Sequence, residues 1–333
     1  MKWQATNGVL LVLLAVLALS LWGCGAKSVP SAEDPGLITV VTTIQPMADI
    51  TSNIGGDWVR VVNLLPAGGS PHTYEPTPRQ MAAMADASVF IWVGAGLDDW
   101  AETLAGAGSS RLVKVRVTDS VELLPFQGEH NHDLMYGDDQ LGHIHDEVGH
   151  GQDHQDAHAH GLYDPHVWLD PLLVRDHIAP AIAQALTDVL PDREAEFAGN
   201  LAAYREQLDD LHLSIAQDLN GLSNKSFIAF HSAWPYFCAR YGLVQAASVE
   251  ESPGKEPSAK WIAEVVETAK RNNAKAIFAE PQFSNKAAEV IAREYGTDVL
   301  ILDPLGGPNV EGRDSYLNLM RYNTRIFQQG LCD

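Results

Sequence analysis

The sequence predicts an α/β fold of two lobes, each a roughly four-stranded parallel sheet flanked by helices, joined by one long rigid helix. Three observations predict it. Eight short runs are rich in β-branched and aliphatic residues, and most are continuous rather than alternating, as strands covered on both faces are. Helical stretches separate these runs, as parallel strands require. One long amphipathic stretch divides the runs into two sets of four.

Residues 1–23 read as a signal peptide. Lys2 supplies the leading charge, and residues 9–22 are apolar and uncharged. That run is too short for a comfortable membrane span of ~20 residues. It ends in Leu21-Trp22-Gly23-Cys24, which resembles a bacterial lipobox, where the cysteine is lipidated and becomes the mature N-terminus. Ordinary signal cleavage nearby, or a retained anchor, is the alternative. Residues 24–36, which include SVPSAEDPG, read as a lipidated, flexible tether.

The first α/β lobe is placed at 37–190, with strands at 37–44, 59–65, 88–93 and 112–117. After its second strand, Thr77-Pro78-Arg79-Gln80 reads as a helix start. Thr77 is the cap, Pro78 suits the first helical position and Gln80 closes a capping box. His72 therefore lies on a short loop with a firm C-terminal anchor. Residues 129–160 carry eight of the thirteen histidines and eight Asp or Glu, with almost no periodicity, so a solvated, disordered insertion is expected there.

The linking helix is placed at 191–221. Leu201, Tyr204, Leu208, Leu211 and Ile215 fall on one helical face, spaced 3-4-3-4. About 29 residues at ~1.5 Å each reach ~43 Å, the length of both lobes end to end. The helix is either a spar between the lobes or a long surface helix of one of them. The second α/β lobe, 222–333, has strands at 227–230, 243–249, 276–279 and 299–302. Between them Ile262, Val265, Val266 and Ala269 share one helical face, and Val290 and Ile291 lie in another helix.

Twenty-two Lys and Arg face 43 Asp and Glu, a net charge of −21. That excludes nucleic acid as an expected partner, since phosphate binding needs cationic patches. It suits a cationic ligand, although an acidic surface often serves only solubility. With Cys24 lipidated, Cys238 and Cys332 remain. In an oxidising compartment two such thiols can pair, and two free thiols are the alternative.

Ligands of open parallel sheets sit at the carboxyl ends of strands. His72, His231 and Asp303 each follow a predicted strand, and His166 lies on a loop stiffened by Asp164, Pro165 and Pro171. Three imidazoles and a carboxylate suit a tetrahedral Zn²⁺ site. Each histidine alone is equally well a hydrogen-bonded structural residue, so placement leaves both readings open.

The segments PHTYEPTP, DPHVWLDP, FHSAWPYFCARYGL and LDPLGG resemble, in this order, the four ligand segments of the zinc-binding solute receptors of bacterial ABC importers, the cluster A-I family. The resemblance runs from about Leu37 to the C-terminus. It implies His72, His166 and His231 as metal ligands, with Asp303 as the fourth, a position that water fills in some members. Manganese-selective relatives typically carry glutamate at the third position, so His231 implies zinc.

The resemblance further implies capture of Zn²⁺ in the cleft between the lobes and delivery to an ABC permease and its ATPase. The chain would be an extracytoplasmic monomer held to the cell membrane by lipid, or a periplasmic protein. The histidine-rich residues 129–160 would gather zinc for the fixed site, or serve only as a hydrophilic insertion. A zinc-dependent hydrolase is the rival class, with Glu75 and Glu280 as candidate bases. No HExxH segment supports it, and hydrogen bonding to the ligands is the expected role of both. A manganese-binding receptor or adhesin of the same family is the other alternative.

Overall fold

The structure, a computed structural model, describes residues 36–126, 162–251 and 254–332. The signal segment, Cys24, most of the tether and the histidine-rich residues 129–160 lie outside the described residues.

Eight strands form where the apolar runs predict them. The first sheet contains β1 (Ile38–Thr42), β2 (Val59–Asn63), β3 (Val89–Trp92) and β4 (Val113–Arg116), in the order β2-β1-β3-β4. The second contains β5 (Ser226–Ala229), β6 (Val244–Ser248), β7 (Ala276–Ala279) and β8 (Val299–Ile301), in the order β6-β5-β7-β8. All pairings are parallel. The central strands β1, β3 and β7 are buried at every residue, because helices cover both faces. The edge strands β2, β4, β6 and β8 are only partly buried.

Several strands stop earlier than the apolar runs do. The run at 37–44 pairs only to Thr42, because Thr43 turns its hydroxyl to Asp98 at 2.6 Å and Ile44 caps the next helix. That helix is α1 (Gln45–Gly55). Next come α2 (Pro78–Ala83), α3 (Asp99–Ala107) and α4 (Ala179–Val189). The spar is α5 (Glu194–Asn220), 27 residues or about 40 Å at the usual rise, with Pro191–Arg193 forming a tighter turn before it. The second half adds α6 (Pro235–Tyr241), α7 (Ala259–Arg271), α8 (Lys286–Tyr295) and α9 (Tyr316–Leu331).

Helix α5 buries Phe197, Tyr204, Leu208, Leu211, Ile215 and Leu219 along one stripe. The stripe packs on α1 and α4 of the first half and on α6 and α9 of the second. One apolar core therefore runs beneath both sheets. All these elements belong to one compact unit, residues 38–333.

Hydrogen bonds stitch the halves together around this core. Arg240 Nη2 lies 2.7 Å from Asp170 Oδ2, and the Tyr236 hydroxyl donates to the Asp164 carbonyl at 2.9 Å. The Trp168 indole donates to the Pro304 carbonyl at 2.8 Å, and the Tyr316 hydroxyl donates to the Trp168 carbonyl at 2.7 Å.

Of the two readings open for Cys238 and Cys332, the structure has the free thiols. Both are free, Cys238 buried and Cys332 exposed. Cys238 sits on the core side of α6, whereas Cys332 caps the end of α9. A disulfide needs its sulfurs at about 2.05 Å, and these two face different environments. Burial pushes the Cys238 thiol up to about 12, so it behaves as a small neutral hydrophobe. A reducing agent is expected to leave the melting temperature unchanged, which scanning calorimetry checks.

Candidate metal centre

The three histidines arrive by different routes. His72 follows edge strand β2, on a loop pinned on both sides. The Pro71 carbonyl accepts from the Trp100 indole at 3.0 Å, and the Tyr74 hydroxyl donates to the Leu64 carbonyl at 3.0 Å. The capping box forms as read: Gln80 N donates to Thr77 Oγ1 and Thr77 N donates to Gln80 Oε1. The Gln80 amide nitrogen also reaches the Leu64 carbonyl at 2.6 Å, closing the base of the loop.

His166 lies on the loop before the turn Val167–Leu169. Asp164 holds it twice through Oδ1, which accepts from His166 N at 2.9 Å and lies 3.1 Å from Nδ1. His231 follows β5, and Glu280 follows the neighbouring strand β7. This is the point where the second sheet's connections diverge, the favoured ligand position in such sheets. Glu280 Oε1 lies 2.8 Å from His231 Nδ1.

A carboxylate only accepts, so in both rings Nδ1 carries the proton and Nε2 turns its lone pair inward. The two Nε2 atoms are 3.3 Å apart. Two lone pairs at that distance repel unless a proton or a metal cation lies between them. Tetrahedral zinc with Zn–N bonds of about 2.0–2.1 Å separates its nitrogens by about 3.3–3.4 Å, which is the spacing found. The ligand atoms of His72, His166 and His231 all lie within 4.8 Å of one another.

Charge in the surroundings fits a cation as well. Asp164 Oδ2, Glu250 Oε2 and Glu280 Oε2 are buried with no hydrogen-bond partner among the described residues. Unpartnered carboxylate oxygens are costly in a dry interior, and a divalent ion among the rings would offset that cost. Burial alone would lower the His231 pKa. The charge and hydrogen bond of Glu280, with Glu250 and Asp164 adding to them, outweigh burial and leave it above 6.5. Burial pushes the Glu250 carboxyl up to about 7, although the charge of His231 and the Gly254 N–H draw it back.

Asp303, expected as the fourth ligand, stands apart from the group of three. Its Oδ1 accepts from Leu305 N at 3.0 Å, Gly306 N at 2.9 Å and Gln282 Nε2 at 3.1 Å, and its Oδ2 accepts from Arg313 Nη1 at 2.9 Å. These donors occupy the carboxylate and fold the loop after β8. Glu280 takes the supporting role expected of it, whereas Glu75 is exposed on its loop.

Sequence reasoning gave Asp164 a stiffening role and passed over its grip on His166. The spacing of two residues, with a side chain bonding the backbone N–H two positions on, is an Asx-turn signal that could have found it. Glu250 was missed although it follows β6 closely, where the strand-end rule applies.

Two lobes on a common spar, with imidazoles from both meeting at the seam, define a class of receptor that holds a small ion between domains. The family model described as zinc-uptake complex component A, periplasmic, matches residues 40–330, and the chain belongs to that family. The zinc-binding lipoprotein AdcA of Streptococcus pneumoniae (strain ATCC BAA-255 / R6) is 31% identical over 323 residues, covering 96% of this chain and 60% of that protein. The chain thus spans only about 60% of the length of that relative. The high-affinity zinc uptake system protein ZnuA of Bacillus subtilis (strain 168) is 31% identical over 336 residues, covering 99% of this chain and 98% of that protein. A crystal structure of ZnuA superposes with a TM-score of 0.72 at 31% identity, covering 89% of this chain and 99% of that one.

Proposed function

We propose that this chain is the extracytoplasmic capture component of a zinc ABC importer. It holds one Zn²⁺ at the seam and hands it to a membrane permease driven by an ATPase. The observation that carries this reading is the His166–His231 pair. Its inward nitrogens are spaced for zinc, and each ring is held from behind by a buried carboxylate. The domain division 37–190, 191–221 and 222–333 goes with it: His72 and His166 belong to one lobe and His231 to the other. A small displacement of the lobes, imposed by the docked permease, then breaks the coordination. The chain acts as a monomeric carrier without catalysis, tethered through lipid on Cys24. Among the described residues no helix is long and apolar enough to cross a membrane.

Calorimetric titration of the mature protein tests the reading, with one tightly bound Zn²⁺ per chain expected. Tight zinc uptake confined to residues 129–160, and lost with them, would overturn it.

The raised pKa of His231 sets the pH behaviour. In the zinc-free protein its protonation stabilises the fold. That stabilisation is full below 6.5, the unfolded value, and is lost as pH rises through the higher folded value. Zinc must displace the same proton, so zinc affinity is expected to fall as pH drops through this window, beginning above 6.5. Titrations at a series of pH values check this, and an affinity flat across the window would contradict it.

A further inference from the structure

Three imidazoles leave one position of a tetrahedral ion to be filled. Asp303 is committed to its loop, so the neighbouring side chain Gln282 becomes decisive. Gln282 lines the same cavity as His72, His166 and His231. Its two amide ends look alike, and their assignment normally rests on the surrounding hydrogen bonds. Here Asp303 settles it. Asp303 Oδ1 can only accept, and it receives Gln282 Nε2 at 3.1 Å. The NH₂ end is therefore fixed on Asp303, and Oε1 cannot exchange with it. Oε1 is buried and has no hydrogen-bond partner among the described residues. A buried amide oxygen left without a donor is costly, and a cation or a water bound to one would offset that cost.

We propose that Gln282 Oε1 supplies the fourth polar contact of the captured ion, and that Asp303 fixes its orientation without touching the ion. This inference rests on the reading of the site as a zinc receptor. It has a chemical consequence. The ion then meets three neutral rings and a neutral oxygen, and its charge is balanced by carboxylates behind the rings rather than by a bound anion. Such a donor set favours zinc over harder ions that select carboxylates.

Gln282→Met tests the proposal, since it keeps the length and apolar stem and removes the oxygen along with the amide donor to Asp303. Zinc affinity is expected to fall at least about 10–100-fold, the loss usual for a residue that only supports a metal ligand from behind. The visible spectrum of the Co²⁺-loaded protein should shift, and the melting temperature of the zinc-free protein should stay unchanged. In Asp303→Asn the neighbour can both donate and accept, so the Gln282 amide is no longer held one way round. That variant should weaken zinc binding only while Gln282 is present, and the double variant should bind no more weakly than Gln282→Met alone. Unchanged affinity and an unchanged cobalt spectrum in Gln282→Met would overturn the proposal. If the unaltered chain itself takes up no zinc at the seam, the receptor reading fails instead, and the two failures are distinguishable.

Discussion

Replacing His231 by alanine is expected to weaken zinc binding by more than ~100-fold, beyond the 10–100-fold typical of losing an outer hydrogen bond. The reason is geometric and electrostatic together. The ring supplies one of the two nitrogens already spaced for the ion, at 3.3 Å from His166 Nε2. It is also the donor to Glu280 Oε1 at 2.8 Å. Alanine removes both, leaving His72 and His166 as the imidazole ligands and the Glu280 carboxylate buried without that donor. The zinc-free variant should also lose the pH dependence of stability that His231 protonation provides. Competition against a chromophoric chelator measures the affinity, and undiminished binding would mean that the ion sits elsewhere.

Most of the frame was legible because each apolar run had one interpretation. Val40 and Val41 on β1, and Ile277 and Phe278 on β7, are all fully buried, so no polar face interrupts the pattern. Helix α5 was legible for the opposite reason: a single stripe from Tyr204 to Ile215 repeats at helical spacing. Helix α9 was not read, although its buried Tyr316, Leu319, Met320 and Phe327 follow the same spacing. At the site, strand-end placement together with the family resemblance identified the three histidines. Chemistry of residue type then misled at Asp303. A carboxylate beside three histidines is a natural ligand, and nothing local signals that Leu305 N, Gly306 N, Gln282 and Arg313 claim its oxygens first. Those contacts join β8 to segments 21 residues earlier and 10 later, and such pairings are set by the tertiary fold. The cysteines stayed open for a similar reason, since compartment chemistry permits a disulfide but only the packing places the sulfurs.

Trp168→Ala should have the largest effect on stability, about 3–5 kcal/mol by analogy with other large-to-small aromatic changes in cores. Trp168 is fully buried, and its ring centroid lies 5.3 Å from that of His166. Its indole N–H reaches across the seam to the Pro304 carbonyl at 2.8 Å, and its own carbonyl takes the Tyr316 hydroxyl at 2.7 Å. Removing the indole leaves a cavity at the join of the lobes, beside a metal ligand, and strips the Pro304 carbonyl of its donor. Trp168→Phe separates these effects. It keeps most of the volume and loses the hydrogen bond, leaving the Pro304 carbonyl without its donor, for a cost of about 1–3 kcal/mol. If the lobes are held at a fixed angle by this contact, the two variants should diverge in function as well as in stability. The phenylalanine form should retain near-normal zinc affinity. The alanine form should bind more weakly even at temperatures where it stays folded, because the His166 ring loses the surface that sets its tilt. Denaturant unfolding and zinc titration on both variants provide the comparison. Equal zinc affinities in a destabilised alanine variant would show that the spar α5 and the surrounding core hold the site without help from this bridge.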